Sequence, residues 1–209
     1  MNTTVTAENM SITAKSDQTY MLIKAGHAAD AAAVQTDKAI RASALTSTSA
    51  LLPTAHNSLA NIEAADTPAN WYYKTSDDPA LYGGDGHESA PTALTAQNFS
   101  SYVLVNEFSL SVAEGANAMQ NIKVGTCTLT TEGDSAVKVL VASSTAVEEF
   151  DATGNGSVTL ASSLTDSTVV YVKIYIYWDG DDSDVYTNGI NDLKSTTVSV
   201  TFTGDIVNS

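Results

Sequence analysis

The stretch that decides the fold is Thr168-Val-Val-Tyr-Val-Lys-Ile-Tyr-Ile-Tyr-Trp178. Val170, Val172, Ile174, Ile176 and Trp178 fall at every second position, with Tyr171, Lys173, Tyr175 and Tyr177 between them. Period two is the repeat of an extended strand, whose side chains leave alternately to opposite faces. One face is apolar and belongs in a core. The other is tyrosine-rich, with apolar rings and polar tips, and is suited to packing against a neighbouring sheet or subunit, or to covering a loop.

Similar patterns flank it. Tyr102–Val112 alternates, with Tyr102, Leu104, Phe108, Leu110 and Val112 on one side and Asn106 interrupting that face once. Ile122–Thr131 and Val137–Ala142 read as strands, and Ser157–Leu160 as a short strand after the hairpin-type turn Gly154-Asn-Gly156. Thr196–Thr203 is the last strand, with Val198, Val200 and Phe202 directed inward. Near the start, Thr4–Ala14 is rich in Thr and β-branched residues, Tyr20–Lys24 is short and apolar, and Lys15–Gln18 is a turn between them. Strands joined by turns in this way predict an all-β fold, a two-sheet sandwich or jelly roll.

Two stretches break the pattern. Residues 28–45 are the helix candidate: 28–42 contains good helix formers, but Val34 and Ile40 are its only large apolar residues, and Lys38–Leu45 reads equally well as extended. The fold is therefore expected to hold at most one short helix. Residues 46–101 contain all four prolines (Pro53, Pro68, Pro79 and Pro91), the glycine-rich Gly83–Glu88, and Trp71-Tyr-Tyr-Lys74, an aromatic strand or packing anchor. The predicted organisation is an N-terminal strand (1–15), then one sandwich domain (16–209) carrying a loop-rich insertion at about 46–101.

Charge excludes several functions. Twenty-four acidic residues against nine basic ones give a net charge of −15 over 209 residues, and Arg41 is the lone arginine. Nucleic acid needs a basic face, and an anionic membrane surface repels an acidic chain. The surface favours cations, Ca2+ first, although acid that merely keeps the protein soluble is the plainer reading. Hydrophobic residues at 43% with charged residues at 16% argue against disorder. No apolar run approaches the ~18 residues of a membrane span. Met1–Thr6 lacks the basic and apolar regions of a leader, so export is expected to rely on a leader not present in this sequence. The single cysteine, Cys127, lies in the strand-like run Ile122–Leu129, has no partner for an internal disulfide, and is expected to be a buried, inert thiol.

Few residues suggest chemistry. Asp179, Asp181, Asp182 and Asp184 share a glycine-containing turn and could converge on Ca2+, which takes six to eight oxygens. The spacing only partly matches an EF-hand loop: Ile190 stands where the bidentate acid belongs, and the central glycine is missing. A solvated turn with Asp side chains bonded to their own backbone is the alternative. Asp85, His87 and Glu88 form a second candidate loop, for which glycine flexibility is the alternative explanation. His27, His56 and His87 are scattered, with no zinc spacing. There is no nucleophile elbow and no phosphate loop, and Glu148-Glu149 alone does not make a glycosidase. The sequons at Asn2, Asn9, Asn98 and Asn155 are explained by the abundance of Thr and Ser. No enzyme is expected and no cofactor is required, with Ca2+ the candidate ion.

Val169–Asp182, an apolar strand running into an aromatic residue and an acidic turn, is followed by Asn191-Asp-Leu193 and Thr197–Thr203. Together with Arg41–His56 ahead of Trp71-Tyr-Tyr73, this resembles exported Gram-positive proteins whose leaders are cut by a SipW-type signal peptidase. It is similar, more distantly, to the TasA/camelysin group of biofilm fibre proteins. The resemblance covers about half the chain and is compositional. It implies a jelly-roll subunit that polymerises outside the cell, one subunit's N-terminal strand completing the sheet of the next. The residues independently allow this. Residues 3–14 lack proline and carry only Glu8 as charge, so Val5, Met10, Ile12 and Ala14 could occupy a neighbour's open sheet edge. Pairing within the same domain is the alternative. The expected function is a homopolymeric, pilus-like fibre or surface-layer subunit. A carbohydrate-binding or adhesive module, stacking glycans or a cell surface on Trp71, Tyr72, Tyr73, Trp178 and Tyr186, is the competing expectation. A secreted hydrolase ranks third, because no catalytic constellation can be named.

Overall fold

A computed structural model describes residues 5–6, 11–16, 21–25, 40–42, 50–64, 67–73, 91–131, 136–150, 157–182 and 196–207. In chain order the described strands are β1 (Val5–Thr6), β2 (Ser11–Ser16), β3 (Met21–Ala25), β4 (Ile40–Ala42), β5 (Ala50–Leu51), β6 (Ala55–His56), β7 (Trp71–Tyr73), β8 (Thr92–Ala93), β9 (Val103–Val112), β10 (Met119–Thr131), β11 (Val137–Ala142), β12 (Val147–Phe150), β13 (Thr159–Leu164), β14 (Val170–Trp178) and β15 (Thr196–Ile206). One α-helix, α1 (Leu59–Ala64), is present among the described residues. The chain is an all-β protein, as its alternating patterns predict.

Two five-stranded sheets carry the fold. One has the order β13-β10-β15-β2-β4 and the other β12-β11-β14-β9-β3. The inner face of β14 contributes Val172, Ile174, Ile176 and Trp178, all buried. They meet Phe108 and Leu110 of β9, Val137, Val139 and Val141 of β11, and Val198, Val200 and Phe202 of β15 in one core. Hydrophobic burial on this scale is what holds a sandwich together. Asn106 is directed into the same layer and is buried, at the position where it interrupts the apolar pattern.

β10 shows how the pattern is kept in phase. Its buried residues are Met119, Ile122, Val124, Cys127 and Leu129, so the spacing slips from two to three at two places. Both slips coincide with register shifts against β15, between Gln120 and Lys123 and between Val124 and Thr126. A bulge inserts one residue and restores the inward direction afterwards. Asn121, at φ 54°, takes the left-handed backbone conformation that Asn tolerates at the first slip. Gly125 stands at the second. At Gly204 the constraint is steric: a Cβ there would lie 2.7 Å from Ile122 Cδ1 and 3.2 Å from Gln120 O.

The N-terminal end of the described chain is woven into both sheets. β2 runs parallel to β15, with Ile12 opposite Val198 and Ala14 opposite Val200, and antiparallel to β4, with Ile12 opposite Ala42 and Ala14 opposite Ile40. β3 lies at the edge of the other sheet against β9. The strand predicted to end at Ala14 extends to Ser16, so the boundary expected at residue 15 falls inside β2. Residues 28–39, the body of the helix candidate, lie outside the described residues, while 40–42 is strand, in keeping with the extended alternative.

Candidate functional site

The tyrosine face of β14 is covered by the chain's own insertion. Trp71, Ile62 and Leu94 pack with Val103, Leu140, Ala142, Tyr175 and Tyr177 in a second buried cluster on the outer side of the sheet. Described residues between 50 and 102 thus form a roof over one half of that face. Among the described residues, the other half carries Tyr171, which is exposed, and Lys173, whose Nζ lies 3.3 Å from Glu107 Oε1.

Short local signals build the roof. Ser58 Oγ accepts the Asn61 N–H at 3.2 Å and caps α1. Pro68 opens a single 3-10 turn, Pro68–Asn70, that delivers Trp71 into β7. β7 pairs with β6 and β8, only two residues each, in a small separate sheet. The roof is tied to β14 by backbone. Thr54 N–H donates to Trp178 O at 2.9 Å, and Gly180 N–H donates to Thr54 O at 2.8 Å. A Cβ on Gly180 would approach Thr54 N to 3.2 Å, so the close approach suits glycine. Thr54 is itself buried, and its Oγ1 donates to Tyr72 O at 2.8 Å.

At the centre lies a cluster that the sequence does not announce. His56 Nε2 and Glu149 Oε2 are 2.9 Å apart, and the Tyr177 hydroxyl donates to the same carboxylate oxygen. The His56 ring stands edge-on to Trp71 and Tyr177, at centroid distances of 5.5 and 5.8 Å. His56 comes from the roof, Glu149 from β12 and Tyr177 from β14, so three elements meet on one carboxylate. The His56 hydrogen bond, supported by Tyr177 and opposed by burial, holds the Glu149 carboxyl below its ordinary range. Burial, and then the Glu149 charge, push the Tyr177 phenol far up, so it remains a donor. The arrangement is a polar clasp. It contains no nucleophile aligned with a base.

The clasp has a pH consequence. A carboxyl held low in the fold stabilises it above the unfolded value, about 4.3, and that contribution is lost as pH falls through the folded value. Asp179, raised mainly by burial, acts in the opposite sense: its charge costs stability at neutral pH, and acidification relieves the cost. Glu149→Gln is therefore expected to leave the neutral-pH fold intact and to flatten the loss of stability below about pH 4, read by urea titrations at stepped pH. An unchanged acid limb would show that the clasp is not the group responsible.

The acidic turn is engaged by the protein itself. Asp181 N–H donates to Asp179 Oδ1 at 3.0 Å, a bond of the Asx kind, and the Tyr72 hydroxyl donates to Asp181 Oδ2 at 2.8 Å. Among the described residues no three His, Cys, Asp or Glu side chains are grouped to hold a metal. Asp182 is described in the same turn, while Asp184 lies outside the described residues, as do the Asp85, His87 and Glu88 loop and Met10. Of the other N-terminal positions, Val5 pairs with Leu51, and Ile12 and Ala14 sit in β2.

The remaining candidates are placed as follows. Cys127 is buried, and burial pushes its thiol up to about 12. Trp71 and Trp178 are buried at 0% and 3% exposure, so neither indole offers a face to a ring in solution. Tyr72 and Tyr73 are half-buried beside a small cleft with Pro53, Thr54 and Asp181, and Tyr73 stacks on Tyr102 at 5.2 Å. Tyr186 lies outside the described residues. The Asn98 side chain accepts the Thr95 N–H at 2.7 Å and closes a turn. No described helix is long and apolar enough to cross a membrane.

Fold and site together define a β-sandwich with a roofed outer face. Comparison with protein-family models, curated proteins and solved structures gave no match to this chain.

Proposed function

We propose that the protein is a structural subunit of an extracellular filament or surface assembly, joined to its neighbours by exchange of N-terminal strands. The observation that carries this reading is the place of β2. It lies parallel to β15, whereas the other described strand pairs of the two sheets are antiparallel. Among the described residues, it is flanked on its far side by the three residues of β4. Such a strand can be given by the chain itself or by a sister chain, because the seat on β15 is the same in both cases.

The connections refine what would be exchanged. Residues 17–20 join β2 to β3 in the opposite sheet. Four residues reach roughly 13 Å, little more than the ~10 Å between packed sheets. β2 therefore cannot leave without β3, and the exchanged unit is the two-strand arm 11–25. Residues 26–39, which follow the arm, number fourteen and reach at most about 46 Å when extended, enough to carry it to an adjacent molecule. Exchange conserves every bond of the seat and so requires no new interface chemistry.

Electron microscopy tests this reading. The full chain is expected to form filaments or large oligomers, and a chain lacking residues 1–25 is expected to form none. Filaments of normal appearance from the shortened chain would remove the arm from the mechanism. Dispersed monomers of the full chain under every condition would remove the filament.

A further inference from the structure

The roof is a small body laid on a large one. The strands of its sheet are two or three residues long, and α1 has six residues. Elements this short are marginal at best on their own in water. The sandwich beneath has two five-stranded sheets and a core of its own. The roof places Ile62, Trp71 and Leu94 in the other cluster, on the outer face of β14. Lifting the roof therefore costs less than unfolding the sandwich, and the two can open separately.

The seam between them has one chemistry. Two side-chain hydrogen bonds between described residues cross it. His56 Nε2 lies 2.9 Å from Glu149 Oε2, and the Tyr72 hydroxyl donates to Asp181 Oδ2 at 2.8 Å. Each joins a ring of the roof to a carboxylate of the sandwich, and a bond to a carboxylate weakens when the carboxylate is neutralised. Backbone crosses at Thr54, which pairs with Trp178 and Gly180 and does not titrate. We infer that the roof is an acid-released cover, opening about the Thr54 bridge when the seam carboxylates take up protons while the two sheets stay folded. Opening bares Leu140, Tyr175 and Tyr177, which are buried at neutral pH.

The neighbours of Glu149 set the direction and the order. His56 on β6, Tyr177 on β14 and Lys138 on β11 favour its charge, and burial opposes them. Glu148 is beside it on β12, and Glu63 lies on α1, which packs against β12. Asp179, at the end of β14, is raised by burial and then by the charges of Glu149 and Asp181. It takes its proton before Glu149 as pH falls, which removes a like charge and tightens the seam in mild acid. Glu149, held low, follows. Its contribution is present above the unfolded value, about 4.3, and is lost as pH falls through the folded one. The cover stays shut in mild acid and opens below it. This device stands whether or not filaments form.

Each body carries its own reporter. Trp71 is in the roof cluster, and Trp178→Phe leaves it as the single indole of the full chain. Cys127 is buried in the sandwich core. Acrylamide quenching of Trp71 is expected to rise by about threefold or more as pH falls from about 6 to about 2.5. Over the same range Cys127 is expected to stay unreactive toward a pyridyl disulfide, whose good leaving group lets it react with exposed thiols in acid. Glu149→Gln, added to this chain, removes the titrating group and is expected to keep Trp71 shielded. Tyr177→Phe takes a donor from the carboxylate, so its pKa rises and the opening is expected at higher pH. Trp71 and Cys127 becoming accessible together, Trp71 staying shielded to the lowest pH, or an opening midpoint unmoved by both variants would overturn the inference.

Discussion

Trp71→Ala lowers stability by about 3–5 kcal/mol, the range for truncating a buried large aromatic. Trp71 is fully buried and touches Phe99, Tyr175, Tyr177 and His56 through ring contacts of 4.9 to 6.0 Å. It fills the space between the roof and the outer face of β14, so the cavity it leaves lies in the second cluster and not in the sandwich core. The loss should therefore be local first. Hydrogen exchange should rise at the described roof segments before it rises at β10 or β15. Trp71→Phe should cost much less. The buried indole N–H of Trp71 has no hydrogen-bond partner among the described residues, so phenylalanine keeps most of the apolar burial and removes that donor. Equal losses for Ala and Phe would show that the indole edge, and not the ring's bulk, holds the roof.

Phe202→Ala has a comparable cost, about 3–5 kcal/mol, with a different distribution. Phe202 is fully buried on β15, opposite Val124, in the core shared by both sheets. β15 lies between β10 and β2, so a cavity there weakens the centre of its sheet and the seat of the arm together. Exchange should rise across both sheets at once, in one cooperative transition. Protection lost only in the roof would contradict the division into two clusters.

The sandwich was readable because alternation survives in single strands. Val198, Val200 and Phe202 are inward as the period predicts, and so are the even-numbered positions of β14 from Val170 to Trp178. β10 was readable as a strand but not in detail, because its phase changes at two bulges and no two-residue period shows that in advance. Tyr102 fell on the wrong side: it precedes β9 and packs with the roof, because the strand begins one residue later.

The roof and its clasp were far less legible. The tyrosine face of β14 raised the need for a cover, and Trp71-Tyr-Tyr73 supplied an aromatic anchor. Nothing local joined them. β6, β7 and β8 are two or three residues long, too short for a period, and are fixed by bonds to distant backbone. His56 and Glu149 are 93 positions apart and meet only in the folded chain. Reading the histidines for metal spacing therefore missed the carboxylate partner that His56 meets in the fold.

The arm's exchange is the central claim, and one measurement bears on it directly. Thr13 and Ser199 are partners across the parallel β2–β15 pair. Thr13→Cys and Ser199→Cys are made on separate chains, unfolded together, refolded at assembling concentration and oxidised. The account predicts a disulfide joining one chain to the other, seen as a doubled mass without reductant. Absence of that cross-link, in a preparation where both cysteines on a single chain close readily within it, would contradict the account and return the arm to its own molecule.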